Sequence, residues 1–164
     1  MNMNPNNDAN TGKPEGRSGR DLSLSNFDDA QLEGADFSNS TLEGANFSGA
    51  NLDYATFENA DLYMALFYAA SLNHTNFKNA LMLGVDLKEA VLKEADLSGA
   101  DLGVSNIGGS SELQGADLRG AIVTGTNFEG ARFNINTQWR DAKYDGTTKF
   151  PSDFNPLDQG MVRI

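Results

Sequence analysis

The chain contains no cysteine, only 4 prolines and a single histidine among its 164 residues. Without cysteine it can form neither a disulfide framework nor a thiolate metal site. No apolar run approaches the ~20 residues that a membrane-spanning helix needs. The opening residues, MNMNPNNDANTGKPEGRSGR, contain no apolar segment of the kind found in signal peptides. We therefore expect no membrane span and, as the default location, the cytoplasm.

The residue combinations that carry common enzyme chemistry are also missing. The sequence has no glycine-rich phosphate loop leading into a helix, no EF-hand spacing, and no Ser-His-Asp or Cys-His arrangement. His74, the only histidine, falls in a variable position and is expected to be an exposed corner residue rather than a ligand or a base. Carboxylates such as Asp61 and Asp96 should face outward instead of flanking a cleft. We expect no catalytic residues, no cofactor, no metal and no enzymatic activity.

A five-residue repeat dominates the chain instead. A large apolar residue recurs at every fifth position, usually with alanine two places before it, in about 23 units. The large positions are Leu22, Phe27, Leu32, Phe37, Leu42, Phe47, Leu52, Phe57, Leu62, Phe67, Leu72, Phe77, Met82, Leu87, Leu92, Leu97, Leu102 and Ile107, followed after one extra residue by Leu113, Leu118, Val123, Phe128 and Phe133.

A period of five fits neither regular element. On an α-helix the large residues would scatter around the cylinder, and on a straight strand they would alternate between faces. Each unit must therefore be a short extended piece and a corner, with the chain winding around an axis. Leucine and phenylalanine alternate from Leu22 to Phe77, so stacking like on like requires an even number of units per coil. Two units are too tight to enclose a phenylalanine column, so four is the smallest workable number and gives a coil of 20 residues.

The units ANLDY, ADFSN, ANFSG, ADLSG and ADLRG carry a further signal. They resemble the pentapeptide-repeat family, whose motif is alanine, then Asp or Asn, then Leu or Phe, then two variable residues. The resemblance implies an all-β fold, a right-handed quadrilateral β-helix. With just under six coils stacked at strand spacing, the rod should be about 28 Å long.

The chain divides into three predicted parts. Residues 1–19 are rich in Asn, Gly and Ser and are expected to be a disordered tail, and residues 20–133 form the solenoid. Residues 134–164 leave the repeat and are expected to cap its open end with Trp139, Tyr144, Phe150, Phe154 and Met161; their sequence resembles tails that close bacterial, particularly cyanobacterial, members of the family. The extra residue before Leu113 should bulge at a corner near Gly108–Ser111, as tolerated packing or as a binding feature.

The net charge of −11 is unevenly distributed. Residues 134–164 are neutral and residues 1–20 carry one net positive charge, so the repeat carries −12. Direct nucleic-acid binding is therefore not expected, because it depends on cations that neutralise phosphates. Lys78, Lys88 and Lys93, among the few bases of the repeat, are expected to pair with Glu89 and Glu94.

One stretch of the repeat breaks the polar pattern of the surface. Positions that should hold Asp or Asn become Leu66, Leu81 and Val91, and variable positions become Tyr63, Met64, Tyr68 and Leu83. With 20 residues per coil, Tyr63 stacks against Leu83, and all of these residues except Val91 form one outward cluster, here called the apolar patch. Exposed apolar patches usually mark contact surfaces, where Tyr and Met are enriched. Drift of a tolerant repeat, or cover by the protein's own tail, are the competing explanations.

The sequence leaves three functions open, none of them catalytic. The leading hypothesis is a protein-interaction module, an acidic rigid rod that binds a protein partner through the apolar patch. The first alternative is a DNA mimic that binds a topoisomerase such as gyrase, which the resemblance and the acidic repeat suggest. The second is a self-assembling structural protein in which the patch is the seam between copies. The identity of the partner is not encoded in any motif.

Overall fold

The computed structural model describes residues 17–104 and 109–164. Through most of this range, residues 20 apart form single-residue parallel bridges, such as Asp21 with Thr41 and Asp61 with Leu81. Four pentapeptides therefore lie between bridged partners, as the alternation of Leu and Phe predicts. Backbone N–H groups donate from one coil to the carbonyls of the next, as Leu62 N does to Leu81 O at 2.8 Å. The chain is a solenoid of the β-helix type.

The large residue of each unit fills the interior. Among the described residues, the side chains from Phe27 to Leu102 and from Leu113 to Phe128 at these positions are almost completely buried, as are the alanines two places before them except Ala30. Phenylalanines 20 apart stack face to face, with ring centroids 5.0 Å apart for Phe47 and Phe67 and 5.1 Å for Phe57 and Phe77. Neighbouring units of the Phe series meet edge to face, as Phe47 and Phe57 do at 5.5 Å. The prediction of stacked Phe columns is confirmed.

Where the motif has its Asp or Asn, that residue shapes the corner. Its side-chain oxygen accepts a hydrogen bond from the backbone N–H two residues on, for example Asp36 Oδ1 from Ser38 N at 2.9 Å and Asp96 Oδ1 from Ser98 N at 3.0 Å. This is the Asx-turn geometry, which satisfies a turn N–H that no coil neighbour reaches. The next residue adopts a positive φ, as at Met64 with φ 55°.

The register break is larger than the sequence predicts. Asp86 pairs with Glu112 and Asp101 with Asn127, which are 26 residues apart instead of 20. Leu113 is therefore the interior residue that follows Leu87 in the next coil, the place predicted for Ile107. The prediction of one extra residue is wrong, because a six-residue insertion mimics one more pentapeptide when only spacing along the chain is counted. Ile107 and Gly108 lie outside the described residues, whereas Ser111 is buried and its hydroxyl donates to Met82 O at 2.9 Å.

The C-terminal residues continue the stacking although their sequence leaves the repeat. Gln138, Lys143 and Lys149 bridge to Asp117, Ile122 and Asn127, at spacings of 21 or 22 residues. Strand β1 (Lys143–Tyr144) then pairs in parallel with β2 (Val162–Arg163), and a 3₁₀ turn spans Leu157–Gln159. Trp139 and Met161 are buried, and Tyr144, Phe150 and Phe154 pack against the core. This aromatic cluster closes the interior.

The first coil is closed in a different way. The guanidinium of Arg17 lies 5.4 Å from the ring centroid of Phe27 and 5.5 Å from that of Phe37. Ser18 Oγ and Gly19 N both donate to Ser38 O, so the last residues of the predicted tail already join the solenoid. Residues 1–16 lie outside the described range, and the tail stays a prediction there.

Candidate protein-interaction surface

The apolar patch lies around one corner of the rod, where three consecutive coils meet. Leu66 bridges to Asn46 and Asp86 in one column, and Leu81 bridges to Asp61 in the preceding column of the same coils. Met64 N donates to Leu83 O at 3.0 Å, which fixes the register of the turn between the columns. Tyr68 occupies the turn after Leu66.

Four of the six predicted residues are exposed. The exposed fraction is 51% for Tyr68, 45% for Met64, 41% for Leu66 and 38% for Leu81, whereas Tyr63 and Leu83 are half-buried. The 20-residue register places the half-buried pair in one column on adjacent coils, between the exposed side chains.

The patch replaces hydrogen-bonding residues with apolar ones. At neighbouring corners the side chain of Asn46 or Asp86 accepts from the backbone N–H two residues later, at 3.0 Å in both cases. Leu66 and Leu81 stand at equivalent positions and have no oxygen to offer. Each substitution forgoes a hydrogen bond worth about 0.5–1.5 kcal/mol and exposes a large aliphatic side chain to water.

One exposed apolar residue on the same corner was not predicted from the sequence. Leu24 is 81% exposed and stands two coils before Met64 in the same turn column. A Cβ at Gly44, the residue between them, would lie 2.8 Å from Leu24 Cδ2. Because Gly44 has no side chain, the side chain of Leu24 lies over its backbone. Stacking the sequence at 20 residues would have shown this alignment.

The lysines of the repeat have other partners than the sequence suggests. Lys78 pairs with Asp96 at 3.1 Å, Lys88 with Asp86 at 3.5 Å and Lys93 with Asp117 at 3.5 Å. The prediction of pairing with Glu89 and Glu94 is wrong, because the nearest carboxylates lie on the adjacent coil or on the same turn. Glu94 lies instead 3.6 Å from His74 Nδ1.

His74 occupies an exposed corner, as expected. Its ring stacks on that of Tyr54 with centroids 4.8 Å apart and planes 10° apart. Tyr54, His74 and Glu94 thus form a ladder of side chains on successive coils of one turn column. Within residues 17–104 and 109–164, no group of three or more His, Asp or Glu side chains is arranged to hold a metal ion.

Among the described residues, Asp117 is the one carboxylate that is both buried and doubly paired. Burial by itself raises its pKa, but hydrogen bonds from Arg119 and the charges of Arg119 and Lys93 outweigh this effect and hold the pKa below its usual value. Arg119 binds it through two bonds, Nε to Oδ1 at 2.9 Å and Nη2 to Oδ2 at 2.7 Å. The pair fixes the orientation of the guanidinium on the surface.

The match of the repeat to a known sequence family decides the identity of the chain. The family described as pentapeptide repeats matches residues 21–63, 65–103 and 111–134, in 8 copies. The chain belongs to the pentapeptide repeat family. The interruption between the second and third matched ranges coincides with the six-residue insertion. No curated protein matches this pentapeptide repeat chain.

Several solved structures of pentapeptide repeat proteins are similar to the chain. One from the Arabidopsis thaliana thylakoid lumen is 33% identical over 69% of this chain and 73% of its own, with a TM-score of 0.42. One from Nostoc is 25% identical over 88% of this chain and 85% of its own, with a TM-score of 0.30. Full-length QnrB1, a plasmid-mediated fluoroquinolone resistance protein, is 19% identical over 90% of this chain and 85% of its own, with a TM-score of 0.40.

The part of this pentapeptide repeat protein that the structure describes has no helix of the length and apolarity that crossing a bilayer requires.

Proposed function

We propose that this pentapeptide repeat protein is a non-catalytic interaction module that binds a protein partner through the apolar patch. The partner would lie against the corner formed by Tyr63, Met64, Leu66, Tyr68, Leu81 and Leu83, with Leu24 extending the contact toward the first coil. A rigid rod loses little conformational entropy on binding, which favours such a role.

The exchange of Asx residues for leucine is the observation that carries the proposal. Leu66 and Leu81 forgo the corner hydrogen bond and stay 41% and 38% exposed, so they contribute little to the interior. Their neighbours Met64 and Tyr68 are exposed as well, and Tyr and Met are enriched in protein interfaces. Binding of a partner at this surface would offset both the loss of the corner hydrogen bonds and the exposure of the leucine side chains to water.

Restoring the residues of the motif gives a sharp test. In the variant Leu66→Asp/Leu81→Asp both corners regain their Asx side chain, so the fold should be retained and the patch becomes acidic. Val91→Asp is the matched control, because Val91 also stands in an Asx position but in a different column. The experiment is affinity capture from a lysate of the source cells, with the oligomeric state of each protein measured by light scattering.

We expect a specific partner that wild type and Val91→Asp capture and the double variant does not. Equal capture by all three proteins would overturn the proposal. A wild-type oligomer that dissociates in the double variant, with no partner recovered, would replace it with self-assembly of a structural protein.

A DNA mimic that binds gyrase or another topoisomerase is the second candidate. The charge distribution favours it, because residues 17–77 contain nine acidic and two basic side chains. A gyrase supercoiling assay in which excess protein changes neither activity nor quinolone sensitivity would remove this candidate.

The finer assignments that accompany the proposal come from the family resemblance and from the sequence. We place the protein in the bacterial cytoplasm, with a right-handed quadrilateral coil, no enzymatic activity and no direct binding to nucleic acid. The apolar patch and the acidic surface support a protein partner rather than a nucleic-acid one.

A further inference from the structure

A second corner of the rod carries an ordered row of charges. One column of bridged residues runs along the rod through Gln31, Asn51, Ser71, Val91, Asp117 and Gln138. The residues two places after these form the neighbouring turn column. From the first coil to the last, that turn column holds Glu33, Asp53, Asn73, Lys93, Arg119 and Arg140. It is acidic in the first half and basic in the second.

The other turn columns of the described residues lack such an order. The turn column that contains Tyr63 and Leu83 of the apolar patch holds Ser23, Glu43, Tyr63, Leu83, Gly103 and Glu129. The next, which contains Tyr68 of the patch, holds Asp28, Ser48, Tyr68, Lys88, Gln114 and Asn134. The last holds Ser38, Glu58, Lys78, Ser98, Thr124 and Asp145. The segregation of charge is therefore a property of one corner, here called the charged corner.

We propose that the charged corner is an interface between two copies of this chain, packed side by side and antiparallel. A two-fold axis between the coils of Asn73 and Lys93 places Glu33 opposite Arg140 and Asp53 opposite Arg119. Because the coils of both copies repeat at the same ~4.8 Å strand spacing, all these pairs come into register together. The contact is isologous, so every pair occurs twice.

The flanking column fits the same axis. This flanking column consists of the bridged residues Asp36, Thr56, Asn76, Asp96, Ile122 and Lys143. The axis places Asp36 opposite Lys143, Thr56 opposite Ile122 and Asn76 opposite Asp96, so no like charges meet. In the turn column of Tyr54, His74 and Glu94, the same operation places His74 opposite Glu94, again without repulsion.

The surface shape of the corner also fits this packing. Tyr54 is 60% exposed, and its ring stacks on His74, so the first half of the corner projects. The second half contains a groove of about 570 Å³, lined by residues that include Arg119, Gly120 and Arg140. The two-fold axis places Tyr54 opposite Gly120, where the side chain of Glu94 from the preceding coil covers the glycine and lines the groove.

In the basic half, Arg119 is held in position before any contact, and Arg140 is exposed. Arg119 is fixed by Asp117 through Nε and Nη2, which leaves Nη1 for a further acceptor. Arg140 lies 3.6 Å from Asp141, and both of these side chains are more than 70% exposed. Exposed ion pairs contribute little individually, so a dimer joined along one corner should be weak and sensitive to salt.

The proposal is independent of the proposed partner-binding function. Residues 63–64 and 73–74 are separated by ten residues, half of the 20-residue coil, so the apolar patch and the charged corner lie on opposite sides of the rod. A dimer through the charged corner leaves the patch accessible in both copies.

A charge exchange tests the interface. In a homodimer, Glu33→Lys puts a lysine opposite Arg140, and Arg140→Glu puts a glutamate opposite Glu33. Each variant alone creates two repulsive contacts, whereas an equimolar mixture restores two attractive ones. Glu43→Lys and Lys149→Glu are matched controls, because they make charge changes of the same kind at exposed positions of the other side of the rod. The measurement is sedimentation equilibrium in low salt, with native mass spectrometry to identify the species in the mixture.

We expect a wild-type dimer in low salt that dissociates near ~0.5 M salt, where the Debye length is only a few ångströms. Each corner variant should raise the dissociation constant at least about tenfold, the mixture should form the heterodimer, and the controls should match wild type. A monomeric wild type, corner variants that dimerise normally, or a mixture that stays monomeric would each overturn the proposal. Partner capture by Glu33→Lys should be unchanged, which separates this result from the test of the apolar patch.

Discussion

The stacked phenylalanines give a graded prediction of stability. Phe57 is fully buried and stacks on Phe37 at 5.0 Å and on Phe77 at 5.1 Å, with edge contacts to Phe47 at 5.5 Å and Phe67 at 5.7 Å. Replacing a buried Phe with Ala costs about 3–5 kcal/mol through lost burial and the cavity that remains. Because Phe57 stands in the middle of its column, the surrounding coils cannot collapse around it, and we expect Phe57→Ala to fall at the upper end.

Phe27 provides the matched comparison at the end of a column. It stacks on Phe47 at 4.8 Å and meets the edge of Phe37 at 5.6 Å, so it makes two ring contacts where Phe57 makes four. Each ring pair contributes about 0.5–1.5 kcal/mol beyond burial. The cation–π contact between the Arg17 guanidinium and Phe27 stabilises the folded protein by about 0.5–1 kcal/mol and so reduces the difference between the two variants. We therefore expect Phe27→Ala to cost about 0.5–2 kcal/mol less than Phe57→Ala.

Urea denaturation followed by circular dichroism measures both variants, with Phe57→Leu as a third. Leu97 already follows Phe77 in the same column, so a leucine fits this position, but Phe57→Leu loses the same four ring contacts and should still cost about 2 kcal/mol or more. The mutant free energies should be compared at the transition midpoint, because repeat proteins can unfold in parts. Equal costs for Phe27→Ala and Phe57→Ala would refute the argument that ring stacking along the columns adds to the stability of the rod.

Three further predictions concern the backbone and the charges. Deleting residues 105–110 restores the 20-residue spacing between Asp101 and its bridged partner, so the shortened chain should fold with a stability within about 1 kcal/mol of wild type in urea denaturation; loss of folding would contradict the register. Gly44→Ala should destabilise the protein by only slightly more than Gly34→Ala. Both residues have a positive φ, and only at Gly44 would the new Cβ meet a side chain, 2.8 Å from Leu24 Cδ2, but the exposed end of Leu24 can move aside. Thermal unfolding of the two variants tests this. Hydrogen bonds led by that from the Thr147 hydroxyl lower the pKa of Asp145 to about 2. The carboxylate therefore stabilises the fold above its unfolded pKa of about 3.9, and this contribution is lost as the pH falls toward 2. Asp145→Asn should remove the part of the acid-induced loss that arises in this window, as acid titration of both proteins would show.

The sequence predicts much of the site because its positions follow from the register alone. Once the coil has 20 residues, Leu66 and Leu81 must point outward, and their replacement of Asx residues shows on the printed chain. The ion pairs of Lys78, Lys88 and Lys93 were not predictable in the same way, because a flexible side chain selects among carboxylates on its own turn and on adjacent coils. Leu24 was missed because its partner in the patch lies two coils away, beyond an intervening glycine.

The sequence by itself determined the repeat, the residues of the interior and the number of units between bridged partners. A five-residue period with alternating Leu and Phe admits few ways to bury every large side chain, so pattern and fold are tightly coupled. Only the tertiary structure decided how the chain departs from that pattern. It showed that the insertion shifts the register by six residues and that residues 134–164 keep stacking without the motif. Both depend on which backbone groups pair across coils, and this pairing is set by distances in space that spacing along the chain does not contain.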